Sequence, residues 1–130
     1  MTDDYNRRRY DRVPAHLPMR ISTLDPETDP WTGKPFFRSS REWSGNVSRG
    51  GVFVCTQEPI LPGQRVLVEL DLPGGEAIEA VGRVAWTRRI LSPEGEDLEA
   101  GLGLQFIGAT GEQMALLDRY VRHLEEPTAA

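Results

Sequence analysis

The chain has one cysteine, Cys55, so no intrachain disulfide can brace it, and its two histidines, His16 and His123, lie too far apart in sequence to suggest a zinc site. A reducing, cytoplasmic setting is the matching expectation. Apolar runs long enough to cross a bilayer are missing, and none follows the N-terminal arginines, so neither an export signal nor a spanning helix is expected. A general cationic excess is missing too: 15 Lys and Arg stand against 20 Asp and Glu, a net charge of −5. Nucleic-acid surfaces need many phosphate-neutralising side chains, so a small anionic ligand suits this chain better than a polymer. The Gly-x-Ser-x-Gly elbow is absent, and no serine has an assignable His and Asp set. The acid pairs Glu69 with Asp71 and Glu76 with Glu79 read as exposed strand charges. The expectation is therefore a non-enzymatic protein without metal or cofactor.

What is present is local. A chain of 130 residues is the size of one domain. Its first 20 residues hold five arginines against three aspartates, while the acids concentrate from Glu58 onward. Residues 1–12 lack any buried-face period and read as a flexible arginine-rich arm. Residues 13–124 read as the folded body, and 125–130 as a disordered tail. Within the body, period-two alternation predicts strands over 15–23 (Leu17, Met19 and Ile21 on one face), 42–47, 52–55, 64–72 (Val66, Val68, Leu70) and 77–88. In the last of these Ile78, Ala80, Gly82, Val84 and Trp86 share a face. A further strand covers 101–107, with Leu102, Leu104 and Phe106 together. Between the first two strands, residues 24–41 carry three prolines and a glycine and read as a long loop, with an insertion over 25–41. Trp31, Phe36 and Phe37 are expected to pack within that loop, with partner contact as the alternative. His16 falls on the outward face of the first strand, His123 near the helix end, and Cys55 reads as a small buried hydrophobe. After residue 109 the period shifts to about 3.6. Thr110 with Gln113 forms a capping-box pattern, and Met114, Leu117, Val121 and Leu124 make a stripe on a helix over 111–124. The fold class expected is all-β: a six-stranded antiparallel barrel with a C-terminal helix.

Two motifs carry the functional signal. Arg7-Arg8-Arg9-Tyr10-Asp11-Arg12 puts arginines on the arm, where a guanidinium can fork onto phosphate, pair with guanine O6 and N7, or stack on a purine. Asn46-Val47-Ser48-Arg49-Gly50-Gly51 offers short polar groups and bare backbone beside a turn, although such residues are also what ordinary turns prefer. Read together, the chain resembles the PilZ domain family, bacterial receptors for the second messenger cyclic di-GMP. Arg8 and Arg12 fit that family's Arg-x-x-x-Arg arm, and Asn46, Ser48 and Gly51 fit its Asp/Asn-x-Ser-x-x-Gly motif. Gly51-Val52-Phe53-Val54, Gly82-Arg83-Val84-Ala85-Trp86 and Gly101-Leu102-Gly103-Leu104-Gln105-Phe106 extend the similarity over most of residues 7–124.

The resemblance implies a PilZ-type barrel that binds cyclic di-GMP through Arg7, Arg8, Arg9, Arg12, Asn46, Ser48 and Gly51, with Trp86 as a secondary candidate to meet a guanine. Arginine before the arm motif, here Arg7, implies an intercalated pair of ligand molecules. Asn46 replaces the commoner Asp and would soften guanine selectivity. Ser48 would offer its hydroxyl to phosphate or base, and Gly51 close approach or an unusual backbone angle. Ordering the arm on the ligand makes binding a switch. The partners implied are cyclic di-GMP and an unidentified downstream protein, reached through the terminal helix or the inserted loop because no output domain is attached. No nucleic acid and no membrane insertion are expected, and the chain is expected to be a monomer or weak homodimer. The alternative is a PilZ-like protein-interaction adaptor that does not bind nucleotide.

Overall fold

The computed structural model describes residues 13–88 and 100–125. The expected arm, the acidic loop over 92–97 and the residues from 126 onward lie outside them. Strands are β1 (Val13–Pro14), β2 (Pro18–Thr23), β3 (Glu27–Thr28), β4 (Pro35–Phe36), β5 (Ser39–Val47), β6 (Gly51–Cys55), β7 (Arg65–Asp71), β8 (Ala77–Arg88) and β9 (Gly101–Gly108), followed by helix α1 (Gly111–Glu125). All pairings are antiparallel, in the order β5-β2-β7-β8-β9-β6, and β6 returns to β5, which closes a six-stranded barrel. The N-terminal half of β5 pairs with β2 and its C-terminal half with β6, while β1 adds onto the free edge beside Asn46 and Val47.

Alternation in the sequence fills the interior as expected: Met19, Ile21, Val66, Val68, Leu70, Ile78, Val84, Leu102 and Leu104 are buried in one core. Leu117 and Val121 of α1 complete that core, with Met114 and Leu124 packed at its margin. The capping box is used only in half. The Gln113 amide donates to Thr110 Oγ1 at 3.2 Å, but Gln113 Oε1 accepts from the Glu79 amide at 2.7 Å, so the side chain that would cap the helix fastens it to β8 instead.

The first expected strand is broken at residues 15–17. Buried Ser44 explains the break: its hydroxyl accepts from the Leu17 amide at 2.8 Å and donates to the Ala15 carbonyl, replacing ladder bonds with side-chain ones. The stretch expected to be open loop to residue 41 is also shorter than expected. Ser39, Ser40 and Arg41 already belong to β5, and β3 and β4 form a small hairpin. Polar residues on both faces hid this strand start. At the hairpin tip Asp29 Oδ1 accepts from the Trp31 amide at 2.8 Å, and Gly33 takes a positive φ of 72°. Arg38 bonds Glu27 at 2.5 and 3.1 Å and lies over the Phe36 ring. At the hairpin base the Arg65 guanidinium beside Asp25 holds that exposed carboxyl below its ordinary pKa. Self-packing of the loop aromatics fails at the tip, because the turn fixes Trp31 pointing outward, 92% exposed, and Phe37 is 60% exposed.

Candidate functional site

Strands β5, β6, β9 and β8 are neighbours, and their registers line up Asn46, Phe53, Gly103 and Trp86 in one row across the barrel's outer wall. Two bulges create that row. Gly45 is an extra residue between Ser44 and Asn46, and Ala85 another between Val84 and Trp86, so each end of the row is rotated outward. The expectation that Trp86 shares the inward face of Val84 is therefore corrected: the bulge resets the alternation, which a strict period of two cannot anticipate.

The floor of this wall is glycine. A Cβ at Gly45 would come within 2.8 Å of Phe53 Cδ2, one at Gly101 would collide with the Phe53 ring, and one at Gly103 with the Trp86 indole. Absent side chains let the Phe53 and Trp86 rings lie against the backbone, stacked at 5.4 Å between centroids and 16° between planes. Arg88 lies over both, 4.9 Å from the Phe53 centroid and 5.7 Å from that of Trp86. Phe53 is thus buried on the outside of the barrel. Trp86 and Asn46 each make further interactions.

The loop joining β5 to β6 is shaped by Ser48. Its buried hydroxyl accepts from the amides of Gly50 at 3.1 Å and Gly51 at 3.2 Å, and its own amide donates to the Gly51 carbonyl at 2.9 Å. The hydroxyl expected to meet phosphate or base thus also holds its own turn, accepting from two amides and donating only a long bond, 3.4 Å, to the Gly51 carbonyl. Ser48→Ala should lower stability by about 1–2 kcal/mol, since two amides lose their acceptor, as chemical denaturation would show. Gly51 has no positive φ; it is required because β9 passes so close that a Cβ would strike the Leu104 carbonyl oxygen.

A groove of about 560 Å³ opens between this loop, the Trp86 edge of the wall and the start of α1. Ser48, Gly51, Trp86, Gln105 and Met114 line it, and among the described residues Arg49 is the one charged residue on its wall. Arg49 Nε donates to Asp118 Oδ1, and its Nη2 reaches Glu125 Oε1 at 3.5 Å. Arg122, one turn away on α1, bonds the other Asp118 oxygen at 3.1 Å.

The structure brings Asn46, Ser48, Gly51 and Trp86 to one outer face, while Arg7, Arg8, Arg9 and Arg12 lie outside the described residues. Sequence reasoning missed Phe53, Arg88, Gln105 and Arg49 on the same face. The signal available for the first was Gly101-x-Gly103, alternate glycines that remove every outward side chain from one stretch of strand. Among the described residues no cluster of His, Cys, Asp or Glu could hold a metal ion, and no helix is long and apolar enough to cross a membrane.

A family model described as the PilZ domain matches residues 6–123. No curated protein matches the sequence. Among solved structures, the inhibitor of motility MotI (DgrA) of Bacillus subtilis is similar at a TM-score of 0.67 and 20% identity, covering 93% of this chain and 53% of that one. YcgR of Escherichia coli in complex with c-di-GMP is similar at 0.63 and 18%, covering 92% and 46%. The chain thus spans about half the length of these two proteins. The PilZ domain of E. coli YcgR with c-di-GMP is similar at 0.60 and 17%, with 92% of both chains covered. At these identities the likeness shows the fold.

Proposed function

The chain belongs to the PilZ domain family, and from that premise we propose that it is a non-enzymatic cytoplasmic receptor for cyclic di-GMP that signals to a partner protein. The observation that carries this reading is the outer wall itself. Asn46, the Ser48–Gly51 loop and the Phe53, Trp86 and Arg88 stack converge there, and β1 pairs with β5 so that the chain directly after Arg12 runs beside Val47 and Asn46. That attachment suits an arm whose Arg8 and Arg12 close over the same wall.

Each ligand part then has a matching group. The phosphates take Arg8 and Arg12 through forked, charge-assisted hydrogen bonds. A guanine edge meets the Asn46 amide, and a guanine face has an aromatic and guanidinium surface at Trp86 and Arg88. Arg7 and Arg9 grip the second molecule of a stacked ligand pair. Ser48 and Gly51 act by fixing the loop and its closeness to β9. The exposed Trp31 and Phe37 favour protein contact at the hairpin, in a ligand-switched receptor or in an adaptor that binds no nucleotide.

Calorimetric titration of the intact chain with cyclic di-GMP, beside GTP and a short single-stranded oligonucleotide, separates these readings. Saturable binding of cyclic di-GMP alone, at a pair of ligands per chain, is the expected result. No heat with cyclic di-GMP would leave the adaptor reading standing, and saturation at a single ligand would remove the role given to Arg7.

A further inference from the structure

Resting on that receptor reading, we propose that Arg49 is a further phosphate-contacting residue, held by the carboxylates of α1 until ligand phosphate replaces them, so that binding releases the helix from the loop. Three observations carry this. Arg49 is the one charged side chain that the described residues place on the groove wall, yet its guanidinium faces α1, bonded to Asp118 and Glu125. Its backbone lies in a turn fixed by Ser48, so an exchange of partners needs only side-chain rotation. Asp118 would not be stranded by the exchange, because Arg122 bonds its other oxygen at 3.1 Å.

The strength of the tie suits a switch. The side chains of Arg49, Asp118 and Glu125 are 30–35% exposed, so water screens their attraction and an incoming phosphate can compete. A fully buried pair would be too costly to open. Leu117 and Val121 keep α1 on the core throughout, while Asp118 and Glu125, on its loop-facing side, are the groups set free. Coupling of this kind is reciprocal: a change on α1 that weakens the tie while leaving the Arg49 guanidinium in place must strengthen binding, by up to the same factor.

The test combines calorimetry with amide hydrogen exchange on the intact chain, circular dichroism confirming that each variant folds. In wild type, cyclic di-GMP should speed exchange in the last turns of α1. In D118N/E125Q those amides should exchange fast before ligand is added, and affinity should rise about three- to ten-fold. Arg49→Gln should bind about ten-fold more weakly and leave α1 exchange unresponsive to ligand. Should the double variant not fold, Asp118→Asn alone reads the same effect at smaller amplitude. Wild-type binding with unchanged affinity in these variants overturns the exchange mechanism alone. Absence of wild-type binding overturns the receptor reading beneath it.

Discussion

Gly51→Ala should cost about 3 kcal/mol of stability and lower the melting temperature by roughly 10 °C. The expectation sits at the upper end for an added methyl group because the obstacle is a backbone atom. A flexible side chain could swing away from a new Cβ, but the Leu104 carbonyl is held in the β6 and β9 ladder between the Val52 and Leu104 pair and the Gly51 and Gln105 pair. Relief requires the two strands to part where the barrel's closing sheet begins, next to the loop that Ser48 shapes. Gly74→Ala provides the comparison. Open space surrounds that position and its φ is not positive, so its effect should stay within about 0.5 kcal/mol. Equal melting temperatures for the two variants would show that β9 does not press on Gly51.

The double variant Arg8→Ala with Arg12→Ala should bind cyclic di-GMP on the order of 100-fold or more weakly, with the fold intact. The reasoning is electrostatic. Beside the groove and the aromatic stack the described residues place Arg49, which must first be won from two carboxylates, and Arg88, which lies over two rings, so little freely available cationic charge meets two phosphates there. Arginines from the arm must supply it, and each forked contact is worth about ten-fold or more in affinity. Trp86→Ala, which removes stacking surface but no charge, should cost about ten-fold. If losing Trp86 weakened binding more than losing both arginines, the aromatic wall would be the primary grip and the arm an accessory.

Much of this architecture could be read from residue order, and the failures have identifiable causes. Strands β7 and β9 alternate cleanly because one face of each is core and the other is solvent or glycine, so Val66, Val68, Leu70, Leu102 and Leu104 announced themselves. Trp86 was turned to the wrong face because a bulge at Ala85 leaves no mark in apolar periodicity. The start of β5 was invisible because Ser39, Ser40 and Arg41 carry no apolar residue, their pairing being imposed by β2. Among candidate site residues, Asn46, Ser48 and Gly51 were legible as a motif, but their local contacts were not. That Ser48 spends its hydroxyl on its own turn depends on distances of about three ångströms that no spacing rule contains. Arg49 escaped notice because its significance lies in Asp118, 69 residues away.

Closure of the barrel also bears on how the protein behaves when crowded. A sheet edge is a template on which foreign strands can grow into aggregates. Here β2, β5, β6, β7, β8 and β9 each hydrogen-bond to neighbours on both sides. Among the described residues, the strands left with a free side are β1, β3 and β4, each two residues long, and Pro14 and Pro35 remove an amide donor from two of them. The outward aromatics Trp31 and Phe37 can therefore offer stickiness without offering a ladder, so self-association through them would stay side-chain mediated and reversible instead of growing into fibrils.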